Sequence, residues 1–140
     1  MSKKYIDPTR ELFALLKAMP RDHPVDMLNL VKLRKQAVYE DGRDATGAQA
    51  YRAYGEESGP IFRSLGGEII WSGDPQFILI GPQEEQWDIA FIARYPTGQA
   101  FLDMVYDPDY RIAVKHRQAA LENSRLIRMK PRRAGSGFGE

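Results

Sequence analysis

Residues 87–95 read WDIAFIARY, and this stretch is the clearest secondary-structure signal in the chain. Its period of two separates the side chains onto the two faces of a β-strand. One face would carry Trp87, Ile89, Phe91, Ala93 and Tyr95, and the other Asp88, Ala90, Ile92 and Arg94. Both faces contain apolar side chains, so we predict a strand that is at least partly buried on both sides.

Working outward from this strand, residues 25–33 (VDMLNLVKL) show the same pattern, with apolar residues on both faces. Gly66-Gly67 turns the chain into a predicted strand at residues 68–72. We predict a short added strand at residues 77–80 and a final strand at residues 124–129.

Capping signals predict the helices between these strands. The predicted helix starts are Asp7 before Pro8, Thr46 three residues before Gln49, Thr97, and Asp107 before Pro108. Gly59-Pro60 is expected to interrupt or kink the second helix, and the last helix is expected to run to about residue 122.

Leaving out the first helix and the short strand, the order is β-α-β-β-α-β, so the predicted fold is α+β and ferredoxin-like. We divide the chain into an N-terminal helix and linker (1–24), a ferredoxin-like domain (25–130) and a disordered tail (131–140). A single open sheet would leave one apolar face bare, and pairing two sheets in a homodimer would cover it.

The composition excludes several classes of function. The 140 residues include 20 Lys and Arg against 19 Asp and Glu, which does not favour a nucleic-acid or membrane binder. Cysteine is absent, and His23 and His116 are the two histidines, so we expect no metal and no cofactor. No stretch approaches the about 20 apolar residues of a membrane span, and no signal peptide is evident, so we expect a cytoplasmic protein.

One set of short motifs resembles a known family. These motifs are Gly66-Gly67, Gly73 with Pro75, Trp87, Tyr95-Pro96-Thr97, Asp107-Pro108-Asp109-Tyr110, Arg117 and Ser124. In order and spacing they resemble the domain of unknown function 1330 family, over about residues 25–130. The opening helix, residues 34–45 and the Gly-rich tail fall outside its usual core.

The resemblance implies membership of the dimeric α/β-barrel superfamily, in which two ferredoxin-like protomers join their sheets. That superfamily contains cofactor-free monooxygenases, lactone isomerases and haem enzymes. The family brings no catalytic signature, but Arg117 falls on its recurring arginine position.

Two polar residues among apolar neighbours are candidates for catalysis. Asn29 interrupts an apolar strand and would either orient a carbonyl or carboxylate or satisfy neighbouring backbone groups. His116 would act as a general base, or be a surface or packing residue. A haem-binding protein with His116 as axial ligand is a third, weaker reading.

The candidates for substrate binding are arginines and aromatic residues. Arg117 lies on an apolar helical stripe and would anchor a carboxylate or extend to solvent. Arg94 would form an anion site with Arg117 or pair with a carboxylate. Tyr54, Trp71 and Tyr110 would line an apolar pocket, although core or dimer packing explains them equally well.

The leading hypothesis is a homodimer that binds a small organic acid or carbonyl compound between sheet and helices. It would act as a binding protein or as a cofactor-independent enzyme of proton transfer or oxygenation. The alternative is a non-catalytic ligand-binding or dimerisation module.

Overall fold

A four-stranded antiparallel sheet with helices packed on one face forms the domain, as the computed structural model shows for residues 3–139. The elements are α1 (Arg10–Ala18), β1 (Val25–Leu33), α2 (Gly47–Ser64), β2 (Glu68–Gly73), β3 (Ile89–Tyr95), α3 (Gly98–Tyr106), α4 (Pro108–Ala120) and β4 (Leu121–Met129). The strand order β2-β3-β1-β4 is that of a ferredoxin-like α+β fold, which confirms the predicted class and the extra N-terminal helix.

Local cap chemistry sets the starts of the helices. Thr46 and Gln49 form the predicted capping box, each side chain bonding to the other's backbone N–H, and Asp107 caps α4. The predicted cap of the first helix was wrong. Thr9 rather than Asp7 accepts the N–H of Leu12, because the helix begins after Pro8, at Arg10.

Pro60 does not interrupt α2, so that alternative of the Gly59-Pro60 prediction was wrong, while a kink stays a prediction. The helix continues from Gly47 to Ser64. Pro60 is exposed, so water can solvate the backbone carbonyl that the missing N–H leaves without its helical partner. At the other end of the domain, α4 stops at Ala120, and β4 begins at the next residue.

The strand register gives the sheet two different faces. On the face towards the helices, the inner face, Met27 lies opposite Ala93, and Asn29 opposite Phe91. These positions continue into the main core with Val25, Tyr95, Phe62, Ala100 and Met104. The inner face is therefore the one that the helices bury.

The other face of the sheet, the outer face, carries an apolar row across all four strands. A bulge between Ile69 and Trp71 places Trp71 beside Ile92, which pairs with Leu28 and, through it, with Ile127. Trp71 remains 51% exposed and Ile127 48% exposed. The sequence therefore correctly indicated strands with apolar residues on both faces.

The short added strand predicted at residues 77–80 was wrong. These residues lie in the irregular connection between β2 and β3, and most of their apolar side chains face solvent. Apolar composition favours a strand, but a strand also needs a neighbour to hydrogen-bond, and the sheet ladders do not include this segment.

The two ends of the chain carry no further strand. Residues 131–139 form no helix or strand, and their predicted disorder stays a prediction. Met1, Ser2 and Glu140, which were part of the predicted terminal segments, lie outside the described residues. Within residues 3–139, no helix combines the length and apolar character that crossing a bilayer requires.

Candidate functional site

A broad cleft of about 1430 Å³ opens between the inner face of the sheet and the helices. Its floor comes from all four strands, and its walls come from all four helices and the segment before α1. Ligand sites in proteins are typically about 300–1,000 Å³ and mostly apolar, so this cleft has room for a small molecule.

The floor of the cleft mixes apolar and polar side chains. Ile69, Ala93 and Met27 form an apolar row across β2, β3 and β1, and Arg128 continues this row on β4. Asn29 lies in the next row, and Ser124 lies in the one after it, opposite Val31. Each row across the floor thus combines apolar side chains with a polar one, so a ligand with both an apolar body and a polar group would match it.

Arg117 stands beside Ser124 in the cleft and is only 13% exposed. Its Nη1 donates to the carbonyl oxygen of Ile6 at 2.6 Å, and its Nη2 to the Ser124 hydroxyl at 3.3 Å. The nearest carboxylate that pairs with it, Asp7, is 3.9 Å away. Because a guanidinium has five N–H donors, these contacts orient Arg117 without exhausting its capacity to bind an anion.

Two tyrosine hydroxyls meet in the wall of the cleft. Tyr54 on α2 and Tyr110 on α4 share a hydrogen bond of 2.8 Å between their hydroxyl oxygens. Burial raises the pKa of Tyr110 above the ordinary value, and the neighbouring Tyr54 raises it further. Burial likewise raises the pKa of Tyr51, whose ring lies 5.6 Å from that of Tyr54. The phenols of Tyr51 and Tyr110 therefore stay protonated at neutral pH and can donate hydrogen bonds.

Asn29 lines the cleft, as its predicted role requires, but its own strand uses part of its amide. The Nδ2 atom donates to the backbone carbonyl of Met27 at 3.0 Å. This contact fits the structural alternative for Asn29, and its position on the cleft floor fits the functional one. Its role in a reaction stays a prediction.

His116 is not among the residues that line the cleft. Its Nδ1 lies 2.7 Å from the Tyr39 hydroxyl, and its Nε2 lies 2.7 Å from the Glu57 carboxylate. Both ring nitrogens are thus engaged between α4, α2 and the polar segment after β1. The geometry places His116 as a tether for that segment, so the predicted general-base role has no support from position.

Arg94 and Trp71 also lie apart from the cleft, on the outer face. Arg94 makes a bidentate pair with Asp26, with distances of 2.7 Å and 2.9 Å. The predicted anion site shared by Arg94 and Arg117 was wrong, because the register puts Arg94 on one face of the sheet while Arg117 lines a cleft on the other. Trp71 belongs to the apolar outer row.

The segment before α1 is a part of the site that the sequence reasoning missed. Besides the Ile6 carbonyl on Arg117, the backbone carbonyl of Tyr5 accepts the Ser124 hydroxyl at 2.7 Å. The backbone N–H of Tyr5 donates to Asn123 at 2.9 Å. These contacts join residues more than 100 positions apart, and no local motif signals them.

The described part of the chain offers no set of side chains that could together bind a metal ion. Across residues 3–139, no three His, Asp or Glu side chains cluster closely enough to hold a metal ion.

Comparison with known structures identifies close relatives. The RPA0582 protein of unknown function from Rhodopseudomonas palustris is 55% identical, and the match covers 94% of this chain and 100% of that chain at a TM-score of 0.90. A structure of the methylated RPA0582 protein gives 56% identity, 95% and 98% coverage, and a TM-score of 0.92. The At3g17210 protein of Arabidopsis thaliana, 11% identical over 80% of this chain and 99% of that chain at a TM-score of 0.51, shares the fold alone. No curated protein matches.

The family comparison agrees with the motifs in the sequence. The model of a domain of unknown function, DUF1330, matches residues 42–129, which is more than half of the chain. The matched region contains α2, α4 and most of the strands that form the cleft, but not α1 or β1. The chain belongs to the DUF1330 family.

Proposed function

We propose that this protein is a homodimer that binds a small organic acid or carbonyl compound in the cleft of each protomer. The observation that carries the proposal is Arg117, held in the cleft beside the paired Tyr54 and Tyr110. A guanidinium matches the geometry of a carboxylate, and protonated phenols donate to carbonyl oxygens.

The position of Arg117 suggests how such a ligand lies. Its acid group would reach Arg117 and Ser124, and its carbon skeleton would extend past Asn29 towards Met27 and Ala93. Apolar area supplies most of the affinity in sites of this kind, while a few polar groups set orientation.

The dimer part of the proposal is supported by the outer face. Trp71 and Ile127 are about half exposed at the two ends of an apolar row that runs across the whole sheet. Contiguous apolar surface of this kind marks interaction sites. Packing two such faces together about a two-fold axis would cover both rows.

A cofactor-independent reaction is the catalytic version of this proposal. Tyr54 and Tyr110 line the cleft, and the hydroxyl hydrogen that their mutual hydrogen bond leaves free would donate to a carbonyl group and polarise it during proton transfer or oxygenation. His116 is engaged elsewhere, so the proposal gives it no part. A non-catalytic ligand-binding or dimerisation module is the alternative, and cytoplasmic location and the lack of a nucleic-acid partner stay predictions from composition.

A thermal-shift screen of small carboxylates, keto acids and phenols tests the binding site. A ligand at 100 times its dissociation constant adds about 2.7 kcal/mol to stability, which gives a clear rise in melting temperature. We expect the shift to disappear in Arg117→Ala and to be partly kept in Arg117→Lys, which retains the charge but not the fork.

Arg52→Ala is the matched control, because Arg52 is exposed on α2 and is not among the cleft-lining residues. It should keep the full shift. A hit that survives Arg117→Ala unchanged would contradict the anion site, and the absence of any hit would favour the non-catalytic module. Light scattering after size exclusion tests the dimer, and a monomer at micromolar concentration would contradict it.

A further inference from the structure

The connection between β2 and β3, residues 74–88, exposes an unusual amount of apolar surface. Phe77 is 75% exposed, Leu79 is 80% exposed and Ile80 is 92% exposed. Single exposed apolar residues are common, but a run of this kind marks a surface that meets another molecule. We name residues 74–88 the β2–β3 loop.

The loop runs across the end of the sheet at which β1 ends and β4 begins. It leaves β2 after Gly73, at one edge of the sheet, and its second half reaches β4, at the opposite edge. There Glu85 pairs with Arg125 at 3.0 Å, and Trp87 stacks on the same guanidinium at 5.1 Å. Arg125 pairs with Leu30 in the register, and its guanidinium also lies 5.0 Å from the ring of Tyr5 at the rim of the cleft. The loop thus crosses one end of the sheet.

The charges of the loop argue for a protein partner rather than a lipid surface. Its charged residues are all acidic, with Lys and Arg absent. These residues are Asp74, Glu84, Glu85 and Asp88. A loop that inserts in an anionic bilayer carries cations beside its apolar residues, so this composition would be repelled.

The opposite end of the outer face has the complementary charge. Residues 128–139 contain no Asp or Glu, and Lys130, Arg132 and Arg133 follow directly after β4. The outer face at this end also offers Ile127 and Met129 as apolar contacts. Glu85 and Asp88 of the loop pair with Arg125 and Lys32, and the other end also carries Asp26 and Glu68 beside Arg94. With these charges included, the loop end is still acidic on balance and the other end basic.

We propose that the β2–β3 loop is an arm that docks on a second copy of this chain, at the C-terminal end of its β4. Phe77, Leu79 and Ile80 contact Ile127 and Met129 of the second copy, and Glu84 faces its basic segment. A two-fold axis perpendicular to the strands produces this arrangement twice. The inference rests on the homodimer proposed above and adds its orientation and the segment that each copy exchanges.

Engineered disulfides test the orientation directly, because the chain contains no cysteine. Leu79→Cys together with Met129→Cys should give a covalent dimer under mild oxidation. Leu79→Cys with Leu15→Cys is the control, since Leu15 is 65% exposed on α1, an element on the helical side of the sheet. It should stay uncrosslinked. A covalent dimer from Leu79→Cys alone would overturn the proposal, because it would place two loops against each other.

Replacing the apolar side chains of the loop by serine tests how much the arm contributes to the stability of the dimer. The triple variant Phe77→Ser, Leu79→Ser, Ile80→Ser should raise the dimer dissociation constant at least about tenfold, as loss of several buried apolar contacts does. Its far-ultraviolet circular dichroism should match the wild type, because these side chains are exposed within one copy. A dimer with an unchanged dissociation constant would overturn the arm while leaving the sheet-to-sheet dimer intact.

Charge reversal separates the two possible orientations. Glu84→Lys and Lys130→Glu should each weaken the dimer, and the double variant should recover much of the loss. If Glu84→Lys instead strengthens the dimer, like ends meet and the proposal fails. A monomeric wild-type protein would overturn the arm and the proposed dimer together. Binding of the wild type, but not of the serine variant, to neutral phosphatidylcholine vesicles would overturn the choice of a second copy.

Discussion

The inner and outer faces of the sheet are made from the same strands, yet the helices cover the inner face and leave the outer face exposed. In β1, Met27 points into the helix-covered core, while its neighbour Leu28 points to the half-exposed outer row. The inner face also receives the polar groups of the cleft, including Asn29 and Arg117. A strand with apolar residues on both faces therefore does not show which face the chain itself covers. Packing of α2, α3 and α4 decides that.

The largest expected effect on the free energy of unfolding comes from shortening a side chain on the inner face. Met27→Ala should lower the free energy of unfolding by about 2–5 kcal/mol, because it leaves a cavity in the core. Ile127→Ala, on the outer face and half exposed, should cost less than about 1 kcal/mol when measured at concentrations that keep the chain monomeric. Urea denaturation of both variants checks the difference, and equal losses would contradict the assignment of the faces.

A charge on the outer face should act on assembly rather than on folding. Ile92→Lys places a cation in the middle of the outer row, where the proposed dimer would bury it, and should raise the dimer dissociation constant about 100-fold. Leu15→Lys on α1 is the control and should leave it unchanged. Analytical ultracentrifugation gives both constants. A variant that still dimerises like the wild type would show that the outer face is not the interface.

The ion pair on the outer face offers a smaller test. Asp26 is buried and accepts two hydrogen bonds from Arg94, and Asp26→Asn removes the charge that holds the guanidinium there. We expect a loss of about 1–3 kcal/mol of unfolding free energy. The double variant Asp26→Asn, Arg94→Gln should recover part of it. If ligand binding in the cleft also changes, the two faces are coupled, and their separation is incomplete.

The smallest effect is expected from the buried tyrosines of the inner side, at alkaline pH. Burial raises the pKa of Tyr51, Tyr95 and Tyr110 above the ordinary value of 10.0. The unfolded chain ionises first, so the stability that these phenols contribute is complete below pH 10 and is lost as the pH rises further. At pH 10 the loss is about 0.4 kcal/mol for each phenol.

Absorbance at the phenolate band follows this titration. Tyr51, Tyr95 and Tyr110 should ionise only when the protein unfolds. If these three phenols ionise near pH 10 while the fold persists, they are more accessible than their burial indicates.

The sequence by itself determined the order of elements and much of their capping. The period of two in β1 and β3, the capping box at Thr46 and the Asp107-Pro108 start of α4 are local signals, because neighbouring residues set backbone conformation. Family membership was also readable, since the motifs lie at a fixed order along the chain. Arg117, Tyr54 and Tyr110 were identified as candidates, and all three line the cleft.

Only the tertiary structure decided which candidates share a site. Arg94 and Arg117 are both arginines that share a predicted face with apolar residues in the sequence. The strand register places Arg94 on the outer face, whereas α4 places Arg117 in the cleft. The contact of Ile6 with Arg117 joins positions 111 residues apart, and residues 77–80 lack the strand partner that their composition would suit. Local propensity acts over a few residues, whereas packing and strand pairing depend on distant ones. Which candidates share a site, and which segments pair as strands, therefore cannot be read from any short stretch of sequence.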